Sequence, residues 1–188
     1  LVDLEGESLI YWTIKSVFSA SLVSWVGIIG QPKDKKTLLN SIKHFSNRVV
    51  WINGGETRQE SVFNGLKALP SNAEKVLIHD GARCLINPEL INKCVLELEE
   101  NDAVILATKV TDTIKIVDNE GYIEDTPKRE KLWAAQTPQC FLVKRLRDAH
   151  KIAIEKSWIV TDDASLFEML NWQVKIIEGN SSNIKITS

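Results

Sequence analysis

Apolar positions along the chain alternate between helical spacing and short continuous runs. In residues 8–22, Leu9, Ile10, Ile14, Val17, Phe18 and Leu22 recur at about 3.6 residues, which predicts an amphipathic helix with Ser8 as its N-cap. Residues 25–29 form a short apolar run stopped by Gly30 and Pro32, the pattern of a buried strand. The same reading continues as a helix over 35–45, with Leu38, Leu39, Ile42 and Phe45 inward, and a strand over 49–52 closed by Asn53-Gly54-Gly55. A helix over 58–69 ends at Pro70 and a strand over 76–78 runs into His79-Asp80-Gly81. A helix over 88–98 has Pro88 in its first turn, where proline is tolerated, and a strand covers 103–107.

Apolar runs that alternate with helices predict a mostly parallel sheet covered on both faces. The order changes after Lys109. Residues 113–117 alternate, Asp118-Asn119-Glu120-Gly121 supplies a turn, and 122–124 return, so a polar-faced hairpin stands out from the α/β body. Helices over 144–156 and 162–170 follow, then late strands over 173–177 and 184–187. No internal repeat or low-complexity segment interrupts this order.

Length and composition narrow the class. At 188 residues the chain is one domain, since a domain takes about 150 residues. A 44% hydrophobic and 26% charged make-up is that of a globular domain. A net charge of −2 argues against a general nucleic-acid binder, while leaving room for a local basic pocket. No run of about 18 apolar residues is present to span a membrane. Cys84, Cys94 and Cys140 lack disulfide or zinc spacing and read as reduced, buried thiols of a cytosol-like compartment.

In open parallel sheets, ligands bind at the carboxyl ends of strands, so the residues just after each strand carry the interest. Gly54-Gly55-Glu56-Thr57-Arg58-Gln59-Glu60-Ser61 combines a close-approach turn with the S/T-x-x-E capping box, although an ordinary strand-to-helix turn explains it as simply. In His79-Asp80-Gly81-Ala82-Arg83, Asp80 has the position of a metal or ribose ligand and Arg83 could grip a phosphate. A turn aspartate beside a surface arginine accounts for the pair equally well. His79 points away from Asp80 and reads as a satisfied, partly buried histidine.

The hairpin brings Thr111, Asp112, Thr113 and Lys115, then Lys128 and Arg129, onto a face that could simply be solvated. The uncharged polar run Trp133-Ala134-Ala135-Gln136-Thr137-Pro138-Gln139 is unusual for a surface loop and reads as a pocket-lining segment. Thr161 before Asp162-Asp163 has the form of an N-cap. Lys185 alternates with Ile184 and Ile186, as a solvent-facing strand lysine or one that reaches a phosphate.

Taken in order, Gly-Gly-x-x-Arg-x-x-Ser, Val-Leu-Ile-His-Asp-Gly-Ala-Arg, Asp-Thr-Ile-Lys, Leu-Trp-Ala-Ala-Gln-Thr-Pro-Gln, Val-Thr-Asp-Asp-Ala and Asn-Ile-Lys-Ile-Thr resemble the 2-C-methyl-D-erythritol 4-phosphate cytidylyltransferase family over residues 4–187. The resemblance implies a Rossmann-like nucleotidyltransferase sheet, mostly parallel, with a protruding β-hairpin dimerisation arm at about 109–132. It implies transfer of CMP from CTP to the methylerythritol phosphate with release of pyrophosphate, Mg2+ dependence, and a homodimer joined through the arm. Gly55, Glu56 (often Asp in the family) and Ser61 would lie against the cytosine. Gly81 would approach the ribose. Asp80 would contact the polyol and lie near the magnesium. Arg83, Thr137 and Thr161 would line the polyol phosphate site. Thr113 and Arg129 would reach from the arm into the partner subunit's site, with Arg129 and Lys185 positioning the attacking phosphate. A cytoplasmic location, or a plastid in a plastid-bearing source, goes with that activity.

The family's first strand and Gly-rich triphosphate loop, and its last helix, have no counterpart here, so the chain reads as truncated at both ends and inactive towards CTP as an isolated segment. Rival readings are a cytidylyltransferase for ribitol 5-phosphate or a similar polyol phosphate, a non-catalytic nucleotide-binding module, and a dimerising α/β scaffold.

Overall fold

The computed structural model describes residues 2–187. A two-residue hairpin, β1 (Asp3–Leu4) and β2 (Glu7–Ser8), leads into helix α1 (Leu9–Ser19). Ser8 caps α1, its side chain accepting from the Tyr11 N–H. The helix stops three residues short of Leu22, because Ala20 turns extended and Leu22 is half exposed, its N–H held by the Asn92 side chain. Strand β3 (Val26–Gly30) is followed by α2 (Lys35–Ser41), β4 (Val49–Asn53) and α3 (Arg58–Ala68). The helix expected over 35–45 breaks at Ile42, where the backbone tightens into a short 3-10 stretch that leaves Ile42 fully buried.

Strand β5 (Lys75–Ile78), helix α4 (Pro88–Glu97) and strand β6 (Ala103–Lys109) come next. The hairpin strands β7 (Ile116–Val117) and β8 (Ile123–Asp125) then precede β9 (Trp133–Leu142), α5 (Val143–Glu155), α6 (Ala164–Met169) and β10 (Lys175–Glu178).

Four strands form the central sheet in the order β10-β6-β9-β5. Strand β9 runs antiparallel to both neighbours, with Cys140 opposite Val104 on one side and Leu77 on the other. Strands β5, β6 and β10 share one direction, so the sheet is mixed but mostly parallel. Strands β3 and β4 form a separate parallel pair.

Alternation along the strands sorts their side chains onto two faces. Val104, Leu106 and Cys140 pack with Ile91, Cys94 and Leu98 of the α4 side. Ala103 and Phe141 pack with Val62, Leu66, Leu146, Ala149, Leu166 and Phe167 from α3, α5 and α6. An apolar cleft of about 550 Å3 lies between the β3–β4 pair and β5, lined by Val26, Ile28, Ile52, Val76 and Ile78 among others.

Residues 133–139 form the first part of β9, the longest strand, buried from Gln136 through Phe141. Two expectations are corrected. Residues 184–187 form no strand; they lie along the 80–83 turn through a hydrogen bond from Ile186 N–H to the Ala82 carbonyl. The N-cap of α6 is Asp163 rather than Thr161, and it is Asp162 whose carboxylate takes the Ser165 N–H and hydroxyl.

Candidate functional site

The pairing of β5 with β9 builds the centre of the site. Ile78 faces Gln139, and following the antiparallel register two residues on brings Asp80 beside Thr137. The Asp80 N–H donates to Thr137 Oγ1 at 3.0 Å, and Thr137 Oγ1 lies 2.9 Å from His79 Nδ1. A hydroxyl that accepts from the amide has its own proton to give, so Thr137 donates to Nδ1. Nδ1 is then an acceptor, and Nε2 donates to the Arg83 carbonyl, 3.1 Å away. Burial lowers the His79 pKa from its ordinary value and keeps the ring neutral, as this relay requires. His79 is thus the satisfied, partly buried histidine its strand position suggests, and it stiffens the turn that displays Asp80.

Three charged side chains converge above this turn. Lys185 Nζ is 3.2 Å and Arg83 Nε 3.4 Å from Asp80 Oδ2. Arg83 Nη1 also donates to the Asn183 carbonyl at 2.7 Å. Asn183 is fully buried, and its amide donates to Gln136 Oε1 and to the Thr137 carbonyl. That clamp explains how a segment without regular structure presents Lys185 at a fixed place. Gly81 is held from the other side, its carbonyl accepting from Thr13 Oγ1 of α1 at 2.7 Å.

The glycine-rich turn forms a second group. The Gly55 N–H donates to Ser61 Oγ at 3.0 Å, the Glu56 N–H to Glu60 Oε2 at 2.8 Å, and the Glu60 N–H to Thr57 Oγ1 at 3.1 Å. The capping box is present, with its acid reaching one residue further back than the N-cap. A Cβ on Gly55 would meet Glu60 Cβ at 2.4 Å, so the turn requires glycine there. The Ser61 hydroxyl shapes the turn rather than standing free toward a base.

Thr161 is exposed and directly precedes a third group. Gln139 of β9 donates to Asp162 Oδ2 at 2.6 Å and accepts from the Asp163 N–H. Burial raises the Asp162 pKa, but hydrogen bonds from Ser165 and Gln139, with the Arg58 charge, outweigh it and hold the carboxyl below its ordinary value. Asp163, almost fully buried, pairs with Arg58 at 2.8 Å and with His150 at 3.2 Å.

The structure therefore brings Asp80, Arg83, Thr137 and Lys185 into one cluster and Gly55, Glu56 and Ser61 into another. It does not join Thr113 and Arg129 to either. Both are exposed on the hairpin, and the Arg129 guanidinium donates to the Thr111 carbonyl at 2.8 Å; among the described residues no ion pair or hydrogen bond links them to Asp80. Asn183, Gln139, Arg58 and Asp163 also hold the site together, although the sequence marks none of them for it. For Gln139 and Asn183 the one available signal was a carboxamide among apolar neighbours, in Phe141's strand and beside Ile184.

Among the described residues no three His, Cys, Asp or Glu side chains group as metal ligands. Asp80 alone fits a hard divalent cation, which typically takes one or two carboxylates and completes its shell with water and substrate phosphates. The three cysteines are free and buried, and burial raises the pKa of Cys84 and Cys140.

A sheet with cations gathered round one aspartate beyond a strand's carboxyl end, and a capped glycine turn opening a helix, has the form of an α/β protein suited to anionic ligands. The 2-C-methyl-D-erythritol 4-phosphate cytidylyltransferase family (IspD) matches the chain over residues 1–188, and the chain belongs to that family. It is 86% identical over 188 residues to the 2-C-methyl-D-erythritol 4-phosphate cytidylyltransferase of Prochlorococcus marinus strain MIT 9515, covering all of this chain and 84% of that one. The corresponding protein of Synechococcus strain CC9902 is 51% identical, with 83% of its length covered. A crystal structure of 4-diphosphocytidyl-2C-methyl-D-erythritol synthase from Anaerococcus prevotii superposes with a TM-score of 0.92 at 34% identity, over 99% of this chain and 83% of that one. That of the Thermus thermophilus cytidylyltransferase superposes with a TM-score of 0.81 at 29% identity, over 99% and 85%.

Proposed function

We propose that the protein transfers the cytidylyl group of CTP to 2-C-methyl-D-erythritol 4-phosphate, giving the CDP-linked polyol and pyrophosphate in the non-mevalonate route to isoprenoids. Membership of the family supports the reaction, and the Asp80–Arg83–Lys185 cluster is the observation that carries its chemistry onto named residues. An oxygen of the polyol phosphate attacks the α-phosphorus of CTP as the bond to pyrophosphate breaks. The attacking group is already ionised at neutral pH, so no general base is needed. The protein's task is to hold two anions in line and neutralise their charge.

Lys185 and Arg83 serve that task on the polyol side. In the free protein both cations face the Asp80 carboxylate, and an incoming phosphate would exchange for it, leaving Asp80 to receive the polyol hydroxyls. The N–H groups of Gly55 and Glu56 are already committed to Ser61 and Glu60, so the turn offers carbonyl oxygens to the exocyclic amine of cytosine, the Gly55 carbonyl by its second lone pair because the first accepts from Gln31 Nε2. Gly81 meets the ribose by its backbone, while Thr137 and Thr161 line the polyol side. Asp80 would hold a magnesium ion, which supplies charge neutralisation at the CTP phosphates. No helix among the described residues is long and apolar enough to cross a membrane, and catalysis in the cytoplasm suits this reading.

The hairpin completes the site from a second subunit. Its apolar side chains Ile114, Ile116, Val117, Tyr122 and Ile123 all face outward, Tyr122 with 69% exposure, and an isolated two-stranded hairpin is marginal in water. A homodimer that covers them would deliver Thr113 and Arg129 to the partner's Asp80 cluster. The test is pyrophosphate release by the protein expressed from its full coding sequence, with CTP, magnesium and methylerythritol phosphate. Release that depends on this polyol phosphate, and falls about 100-fold or more in Arg129→Ala, is expected for loss of a transition-state cation. Release with ribitol 5-phosphate instead would reassign the substrate, and none with either would overturn the reading.

A further inference from the structure

We infer that Asp163, through its buried ion pair with Arg58, is a positioning residue that locks the base-side turn to the polyol-side loop so that the two halves of the site are ordered together. The inference rests on the cytidylyltransferase reading above and adds a residue to it. Asp163 has only 1% of its side chain exposed, yet it carries a carboxylate. Such a group persists only when gripped from several sides. Arg58, the first residue of α3, places Nη2 2.8 Å from Oδ2. His150 of α5 places Nε2 3.2 Å from Oδ1, its ring stacked on Phe63 of α3. Gln139 Oε1 accepts from the Asp163 and Ala164 N–H groups at 3.2 and 3.3 Å. One residue further along α3, Gln59 Oε1 accepts from the Val160 N–H at 3.4 Å.

Two of these contacts, Arg58–Asp163 and Gln59–Val160, cross one seam, and His150 and Gln139 brace it from α5 and β9. On one side of it, Arg58 follows the capped turn that carries Gly55 and Glu56. On the other, Asp163 follows Thr161 by two residues. Gln139 fastens the same loop to β9, the strand that carries Thr137. A buried ion pair is poor evidence of stabilisation, because apolar side chains of the same volume would serve a core as well or better. What the pair supplies is a fixed direction and distance between two segments that must meet opposite ends of a bisubstrate complex. Asp163 and Arg58 need touch neither substrate to act in this way.

The test compares Asp163→Asn, Arg58→Gln, Arg58→Lys and the double variant Arg58→Gln/Asp163→Asn with the parent protein, each expressed from the full coding sequence. Read-outs are KM for CTP and for the polyol phosphate, kcat, CTP affinity by calorimetry, and Tm. Positioning predicts that both KM values rise about tenfold in Asp163→Asn and Arg58→Gln while kcat changes less. It predicts partial recovery in Arg58→Lys, and a double variant no worse than the poorer single one, since the two residues act as a unit. Unchanged KM values with a lowered Tm or a smaller active fraction would make the pair structural only and overturn the proposal. So would additive effects in the double variant. Arg58 is 38% exposed, so its variants report even if Asp163→Asn does not fold. If the parent binds CTP but transfers nothing to the polyol phosphate, the functional reading fails alone, and the pair is judged on CTP affinity.

Discussion

His79 makes the site sensitive to acid. Its folded pKa lies below the ordinary value of 6.5, because burial disfavours the charged ring. Between the folded pKa and about 6.5 the unfolded chain binds more protons than the native one, so stability rises with pH in that window and is lost as pH falls through it. Protonation also turns Nδ1 into a donor, so its bond to the Thr137 hydroxyl reverses and that oxygen accepts from both the ring and the Asp80 amide. Thermal unfolding should therefore show Tm falling as pH drops from about 7 to about 5. In His79→Gln, which can accept from Thr137 and donate to Arg83 without titrating, that slope should flatten. An equal slope in the variant would assign the titration to another group. The Asp80 and Arg83 positions were legible in the sequence, because an acid straight after an apolar strand is a local signal. Their mutual clamp was not, since it runs through Asn183, about a hundred residues away along the chain from Arg83.

The start of α3 shows what one element contributes. Thr57 caps the helix, Glu60 reaches back to Glu56, and Ser61 holds Gly55, so the turn is fixed by its own next residues. A methyl group at Gly55 has no room beside Glu60, whereas one at Gly54 meets its nearest atom, Ser61 Oγ, at 3.1 Å. Gly55→Ala should raise KM for CTP about tenfold, with a loss of about 1–2 kcal/mol in stability, and Gly54→Ala should do less of both. Steady-state kinetics and urea unfolding read the two effects, and equal behaviour of the two variants would contradict the contact argument. This capping could be read from sequence because Thr57, Glu60 and Ser61 act within six residues; the bonds from Gln31 Nε2 to the Gly55 carbonyl and from the Gly54 N–H to the Gly30 carbonyl could not. Strand β9 could not be read so. Gln136, Thr137 and Gln139 read as a pocket-lining run, yet they lie buried in a sheet strand, because each carboxamide or hydroxyl finds a partner on another segment.

At the scale of the molecule, the hairpin leaves its apolar side chains uncovered by its own chain. Ile116, Val117 and Ile123 lie on two very short strands and remain exposed. A homodimer through this arm accounts both for that surface and for the distance of Arg129 from Asp80. The double variant Tyr122→Asp/Ile123→Asp should sediment as a monomer and lose at least about 90% of its activity, as partner hot spots do when replaced by charge. A monomeric parent protein, or a monomeric variant with full activity, would remove the partner subunit from the site. Mixing Arg129→Ala, whose apolar arm surface is intact, with Lys185→Ala should partly restore activity, because one mixed site would pair an intact arm with an intact cluster.

Local chemistry in the chain determined the alternation of helices and strands, the capped glycine turn, the acid and arginine after β5, and the hairpin. Each depends on residues a few positions apart, where periodicity, caps and turns act directly. The tertiary structure decided the rest. It ran β9 antiparallel through the middle of the sheet and left residues 184–187 out of it, moved the α6 cap from Thr161 to Asp163, and joined Arg58 to Asp163. Those outcomes depend on which buried polar group finds a partner from a distant segment. Such pairing is settled only when the segments pack, because burial makes an unpartnered group costly and a partnered one nearly free.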